Sequence, residues 1–462
     1  MMGEKIYPYI PNSVPEVQKE MLEFIGVDSI EDLISDIPDE IRMKGPMQLP
    51  EPYTDEAGVY RHVSGILKKN ITAGELRCFL GAGCYNRYVP AVVDEVINRS
   101  EFLTAYAGEP YEDHGRFQAM FEYQSMMAEL LDFDVCNVPN YDGSQAAGTA
   151  LRMAARVTRR GEVLVPYNIN PDVRRVISTY LQPDIKITFI DYDVKTGRIC
   201  LDSLKKSLTD NVAAVLVMTP NFFGVIEEDA EAIAELAHSK GALLVAYVEP
   251  SSLGIIKPPS RYGADLACGD LQPLGIHMNY GGGVAGFIAA SDRHDIVEEY
   301  PSRLFGIAPT SEGEWGFGDV LWERTSFANR DSAKEFVGTH AALWGIAAGV
   351  YLASLGPRGM RDLGEAIVQR SACLKKALSG IRGLNADKFS GAVFEEFVVD
   401  LSGTGKNVAE INRELLGHGI LGGYDLGAAF PELKGCMLVC VTEQTSAEDI
   451  KAFAEALNAI AG

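Results

Sequence analysis

From Gln145 onward, short β-rich apolar runs alternate with amphipathic helical stretches, and this alternation restricts the fold more than any other feature. "SQAAGTALRMAARVTRR" has helical spacing and "EVLVP" reads as a strand; "PDVRRVISTYL" is helical and "IKITFI" a strand. "AAVLVM" then reads as a strand, "EDAEAIAELAHSK" as a helix and "ALLVAYV" as a strand. Strands without polar alternation, joined by helices, predict a mainly parallel sheet covered on both faces.

Two further regions flank this α/β core. The first ~65 residues have helical patterning. In "SVPEVQKEMLEFIG", Val17, Met21, Leu22 and Ile25 share a stripe that Gly26 can end; "SIEDLISDIPDEIR" starts with a Ser29–Asp32 capping-box pattern and breaks at Pro38. Such an arm could wrap a partner subunit or pack on its own domain. Near Trp344, "ALWGIAAGVYLASLG" predicts a long apolar helix leading out of the core, followed by smaller α+β elements such as "GAVFEEFVVDL" and "CMLVCVT". The expected organisation is a helical arm over 1–65, a large domain over 66–350 and a small α+β domain over 351–462.

A formal charge of −23 disfavours nucleic acid or an anionic membrane as main partner. No run of about 18 apolar residues predicts a membrane span. The amino terminus has no apolar segment after a basic start, and the eight scattered cysteines include no CxxC pair. A cytoplasmic protein with free thiols is expected. The seven histidines lack metal-ligand spacing, so no metal site is expected.

Two glycine-containing stretches invite functional readings. "GGGVAG", Gly281 to Gly286, fits GxGxxG, but the apolar "FIAA" after it reads as a strand where a dinucleotide fingerprint needs a helix. A tight turn is the better reading. "YDGSQAAGTAL", Tyr141 to Leu151, sets Gly143-Ser144-Gln145-Ala146 at a helix start. Free N–H groups and a hydroxyl there could hold a phosphate. An ordinary N-cap by Ser144, with Asp142 nearby, accounts for the same residues.

The order of these elements resembles the large domain of fold type I, aspartate-aminotransferase-like pyridoxal-phosphate enzymes. A "G-[ST]-x-A" turn is followed by "GALLVxxxxxxSxG", then by "GADLxxxxxxxxG" leading into a glycine-rich turn. Along nearly its whole length the chain is similar to the first subunit of two-subunit glycine dehydrogenase (decarboxylating), the P-protein of the glycine cleavage system. Segments carrying the similarity include "YIPNSVPEVQKEMLEFIGVDSIEDLISDIPDEIR", "FLGAGCYNRYVPAVVDEVINRSEFLTAY", "FEYQSMMAELLDFDVCNVPNYDGSQAA" and "GIIKPPSRYGADLACGDLQPLGI". The resemblance implies a seven-stranded-type, mainly parallel sheet.

Relative to catalytic members of that wider group, two positions are degenerate. Tyr247 stands where an Asp would contact the pyridine nitrogen, and Pro273, after Gln272, stands where the Schiff-base lysine would be. No lysine occurs between Lys257 and Phe287, and Lys257 itself is the candidate for a displaced lysine. The resemblance therefore implies pyridoxal phosphate on a homologous, lysine-bearing second subunit, in an α2β2 assembly. The implied activity is decarboxylation of glycine with transfer of the aminomethyl group to the lipoyl arm of the H-protein.

The residues expected to line a shared site are Tyr106, His277, Thr339 and His340. Asn140, Tyr141 and Asp142 are the substrate-side candidates, and Gly143, Ser144, Gln145, Gln272, Gly281, Gly282 and Gly283 the weak cofactor-side ones. Two segments depart from the family pattern: "AGEPYEDHGR" at 107–116 and "RDSAKEFVGTHAAL" at 330–343. A divergent paralogue acting on another small amino acid with its own partner, or a scaffold protein of the same fold, remain alternatives.

Overall fold

The computed structural model describes residues 6–7, 9–45, 47–102, 114–281, 285–328, 335, 337 and 341–462. It divides into two compact units, Met1–Asn70 and Ile71–Gly462.

In the first unit, Pro15–Ile25 forms a helix with proline in its first turn and Gly26 in the left-handed C-cap conformation. The Ser29–Asp32 capping box is present, but its helix spans only Ile30–Leu33. The Arg42 guanidinium donates to the carbonyls of Ile34 and Ile37, so these groups close a turn where a continued helix was expected to Pro38. A third helix, Glu56–Leu67, is capped by the Asp55 carboxylate.

The second unit begins at β1 (Arg77–Cys78), which pairs in parallel with a late strand described below. The main sheet contains β2 (Val135–Cys136), β3 (Glu162–Pro166), β4 (Lys186–Ile190), β5 (Val212–Thr219), β6 (Leu243–Val248), β7 (Leu266–Asp270) and β8 (Gly286–Ala290). Their order is β2-β8-β7-β6-β5-β3-β4. The β4-β3-β5-β6-β7 ladders are parallel, whereas β8 runs antiparallel to both β7 and β2. Alternate strand residues feed two cores. Val215, Val217, Leu244 and Ala246 pack on one face; Ala214, Leu216, Leu243 and Val245 pack on the other. Coverage of both faces is why these strands lack polar alternation. "FIAA" lies in β8, as its composition predicts, so the glycine cluster before it opens no nucleotide-binding helix.

Strands β9 (Phe305–Pro309) and β10 (Trp315–Asp319) form a hairpin. The helix Ala342–Leu378 bends at Gly356, which has φ 61° and ψ −178° and precedes Pro357. Its first half packs Ala347, Ala348 and Tyr351 into the main core, while Leu374 and Leu378 belong to a separate C-terminal core. That core covers a three-stranded antiparallel sheet. Here β11 (Glu396–Asp400) pairs with β14 (Cys436–Cys440), which also pairs with β13 (Tyr424–Asp425); β12 (Ile420–Leu421) is the partner of β1. Among the described residues, no helix is long and apolar enough to cross a membrane.

Candidate functional site

Open parallel sheets place ligands beyond the carboxyl ends of their strands. At that edge of β5, β6 and β7 lies a cleft of about 340 Å³. Its walls include Met218 near the end of β5 and Pro220 just after it, Tyr247 near the end of β6 and Glu249 just after it, and Asp270 at the end of β7. Asp142 and Ser144 at the start of the helix Gly143–Thr158, the loop Gly81–Tyr85, Glu395 before β11 and Glu396 at its start also line it.

The helix start is occupied by carboxylates of the chain itself. Asp142, not Ser144, is the N-cap: its Oδ1 accepts the Gln145 N–H at 2.7 Å. Asp270 Oδ2 accepts the Gly143 N–H at 2.9 Å, and its Oδ1 accepts the Gln272 N–H at 2.9 Å. Close approach explains the glycine at 143, because a Cβ there would lie 2.5 Å from the Tyr247 hydroxyl and 2.7 Å from the Asp270 nitrogen. Gly286 is equally constrained; its Cβ would meet the Asp142 carbonyl at 2.1 Å. Burial pushes the Asp270 carboxyl up to about 6, against the lowering effect of the two N–H donors. Burial, and then the nearby Asp270 charge, hold the Tyr247 phenol neutral, well above its ordinary value.

A second polar group ties the cleft wall to the C-terminal sheet. The buried Arg87 guanidinium donates to Glu249 at 3.3 Å, Ser251 at 2.7 Å, Glu443 at 3.0 Å and Glu395. Glu396 accepts the Ala82 N–H at 2.7 Å and the Tyr85 hydroxyl at 3.2 Å, and burial raises its carboxyl to about 7. Burial also raises Glu395 well above the usual carboxylate range, against the pull of Arg87. Cys84, on the cleft wall, is pushed up to about 11 by burial and then by Asp270, so it is a thiol at neutral pH.

The sequence candidates separate into groups. Asp142, Ser144, Pro273, Tyr247 and Gly281 line the cleft. Gly143 lies behind the Tyr247 hydroxyl. Asn140 and Gln145 belong to a buried relay: Asn137 donates to Asn140, Asn140 to Gln145 at 2.7 Å, and Gln145 to Thr149 at 2.9 Å. Tyr141 is half exposed. Gln272 is fully buried and its amide is spent on backbone groups of Tyr85 and Ile276. His277 sits at the surface with Asp94, 3.0 Å away, and is not among the cleft-lining residues. Lys257 is likewise at the surface, paired with Glu231 at 3.2 Å. Tyr106, Gly282, Gly283, Thr339 and His340 fall outside the described residues, as do 107–113 and most of 330–343.

Pyridoxal phosphate, the cofactor implied by the resemblance, does not fit the groups present. Position 273 offers a pyrrolidine ring and position 247 a neutral phenol. The N–H groups of Gly143 and Gln145 already hold carboxylates. Six carboxylates and no lysine or arginine are found among the described lining residues. At an effective dielectric of ~20, a phosphate dianion about 6 Å from one carboxylate is opposed by roughly 5 kcal/mol.

Arg87, Glu249, Asp270, Glu395 and Glu396 did not emerge from motif reading. Their one sequence signal is a charged residue set against an uninterrupted apolar strand, as in "LLVAYVEP" and "FEEFVVDL". Among the described residues, no group of three or more His, Cys, Asp or Glu side chains is placed to hold a metal ion.

Comparison with known proteins agrees with this architecture. Residues 8–457 match the family model described as glycine cleavage system P-protein. A protein of Carboxydothermus hydrogenoformans named "Probable glycine dehydrogenase (decarboxylating) subunit 1" is 41% identical over 453 residues, covering 97% of this chain and 99% of its own. One of Staphylothermus marinus with the same name is 39% identical over 463 residues, covering 98% and 97%. A crystal structure of glycine decarboxylase (P-protein) of the glycine cleavage system, in inhibitor-bound form, superposes with a TM-score of 0.84 at 35% identity. It covers 99% of this chain and 100% of that one. The sphingosine-1-phosphate lyase of Burkholderia pseudomallei K96243, at 15% identity and TM-score 0.65 over 92% of this chain and 94% of its own, shares the fold. The expected fold type I architecture is thus shown, with a mostly parallel seven-stranded sheet between helices. With a whole-chain family match and relatives near 40% identity, the chain belongs to the glycine cleavage system P-protein family.

Proposed function

We propose that this chain is the non-Schiff-base subunit of a heteromeric glycine decarboxylase. In this reading a homologous lysine-bearing subunit carries pyridoxal phosphate, and the two form an α2β2 assembly that passes the aminomethyl group of glycine to the lipoyl arm of an H-protein. "Subunit 1" in the relatives' names implies a second subunit. The observation that carries the reading is Pro273 beside a helix N-terminus whose N–H groups hold Asp142 and Asp270. A cofactor bound on the partner would supply the electron sink for carbanion formation. This chain's part is a rigid wall: Gln272, Arg87 and Glu396 fix the cleft without offering a nucleophile.

The test is reconstitution. The purified chain, incubated with pyridoxal phosphate and borohydride, should yield no site-specific pyridoxyl-lysine. Exchange of the glycine carboxyl with labelled bicarbonate should require the lysine-bearing partner and H-protein. A single modified lysine in this chain, or exchange by the chain alone, would overturn the proposal. Activity of the pair with another small amino acid but not glycine would instead favour the divergent paralogue suggested by segments 107–116 and 330–343.

A further inference from the structure

The missing lysine accounts for the loss of a covalent bond to a cofactor, but not for the state of the phosphate turn. In this chain the turn is still built: the helix Gly143–Thr158 starts at the strand ends, with glycine at its first position. The N–H groups of Gly143 and Gln145 are nevertheless satisfied from within, by side chains of two different elements. Asp142 closes onto Gln145 locally, while Asp270 reaches Gly143 from a position 127 residues away. Two oxygens of Asp270 serve two turns at once, which fixes its carboxylate at the helix end. The Tyr247 hydroxyl fills the adjoining space so closely that Gly143 has no room for a Cβ.

We infer that Asp270 and Asp142 act as a built-in anionic plug, standing where a phosphate monoester would sit, with Tyr247 sealing the pocket beside them. The plug would keep free phosphate and pyridoxal phosphate out of this subunit, so that cofactor loads only on the partner. A carboxylate suits that role because it matches the positive end of the helix and its hydrogen-bond donors, as a phosphate does. The inference rests on the reading that this chain does not carry the cofactor, and adds which side chains enforce it.

Inorganic phosphate and pyridoxal phosphate are the probes, and isothermal titration of the full chain is the measurement. Wild type should give no saturable heat with either at neutral pH. Asp142→Ser keeps an N-cap while removing a charge. Combined with Asp270→Ala, it should bind both probes at least about tenfold more tightly than wild type, because two charge-assisted acceptors are gone. If the alanine pair loses its cooperative melt, Asp142→Ser with Asp270→Asn replaces it and must also bind phosphate more tightly than wild type. Folded variants that bind no better than wild type would overturn the plug, as would wild type binding phosphate as tightly as they do. Neither outcome touches the proposed subunit role, which fails separately if borohydride traps a lysine of this chain.

Discussion

Gln272 and Tyr85 are joined by a reciprocal pair of hydrogen bonds: the Tyr85 N–H donates to Gln272 Oε1 and Gln272 Nε2 donates to the Tyr85 carbonyl, each at 2.9 Å. A second N–H of the same amide reaches the Ile276 carbonyl at 2.9 Å. The side chain next to Pro273 therefore stitches the loop after β7 to the loop at Gly81–Tyr85. Gln272→Ala removes three buried bonds and leaves backbone groups unpaired, and should cost about 2–4 kcal/mol in urea unfolding. A cost within experimental error would show that the loops hold each other by packing alone.

Placing an amine at position 273 should not produce cofactor capture. Pro273→Lys leaves Asp142, Asp270 and Tyr247 in place, so borohydride trapping with pyridoxal phosphate should modify the new side chain no faster than surface lysines. Preferential modification there would mean that the cleft admits the cofactor despite its carboxylates.

Arg87 is the sole cation bonded to Glu249, Glu395 and Glu443 among the described residues. Arg87→Ala strands buried carboxylates and should cost about 3–5 kcal/mol, read as a lower denaturation midpoint. Arg87→Lys keeps the charge but not the planar fork, and should recover only part of the loss. Full recovery by lysine would show that charge alone matters.

Glu396 gives the stability a definite pH dependence. Burial raises its carboxyl from 4.5 to about 7, so between these values the folded chain keeps a proton that the unfolded chain has released. Its contribution to stability is complete below pH 4.5, falls as pH rises through the window and is lost above about 7. Glu396→Gln does not titrate, so its stability relative to wild type should rise by up to about 3 kcal/mol across the window. Urea melts at pH 4.5 and pH 8 measure this; a pH-independent difference would place the titration on another group.

The sequence by itself determined the class of fold. Periodicity is local, and the apolar runs at 212–219 and 243–248 can be satisfied only by strands covered on both sides. It also determined that β8 ends the glycine cluster as a strand and that no amine stands at position 273, since both follow from residue identity. Tertiary structure decided the state of the cleft. Asp270 lies 127 residues from Gly143, and Arg87 lies 308 from Glu395, separations at which no local pattern records a pairing. The sequence left both phosphate turn and plain N-cap open as readings of "DGSQAA", with the N-cap favoured. The difference lies in the arrival of a distant carboxylate, set by how β7 ends against the helix start. Local periodicity encodes which elements form, whereas the packing of elements distant in sequence decides which charges meet.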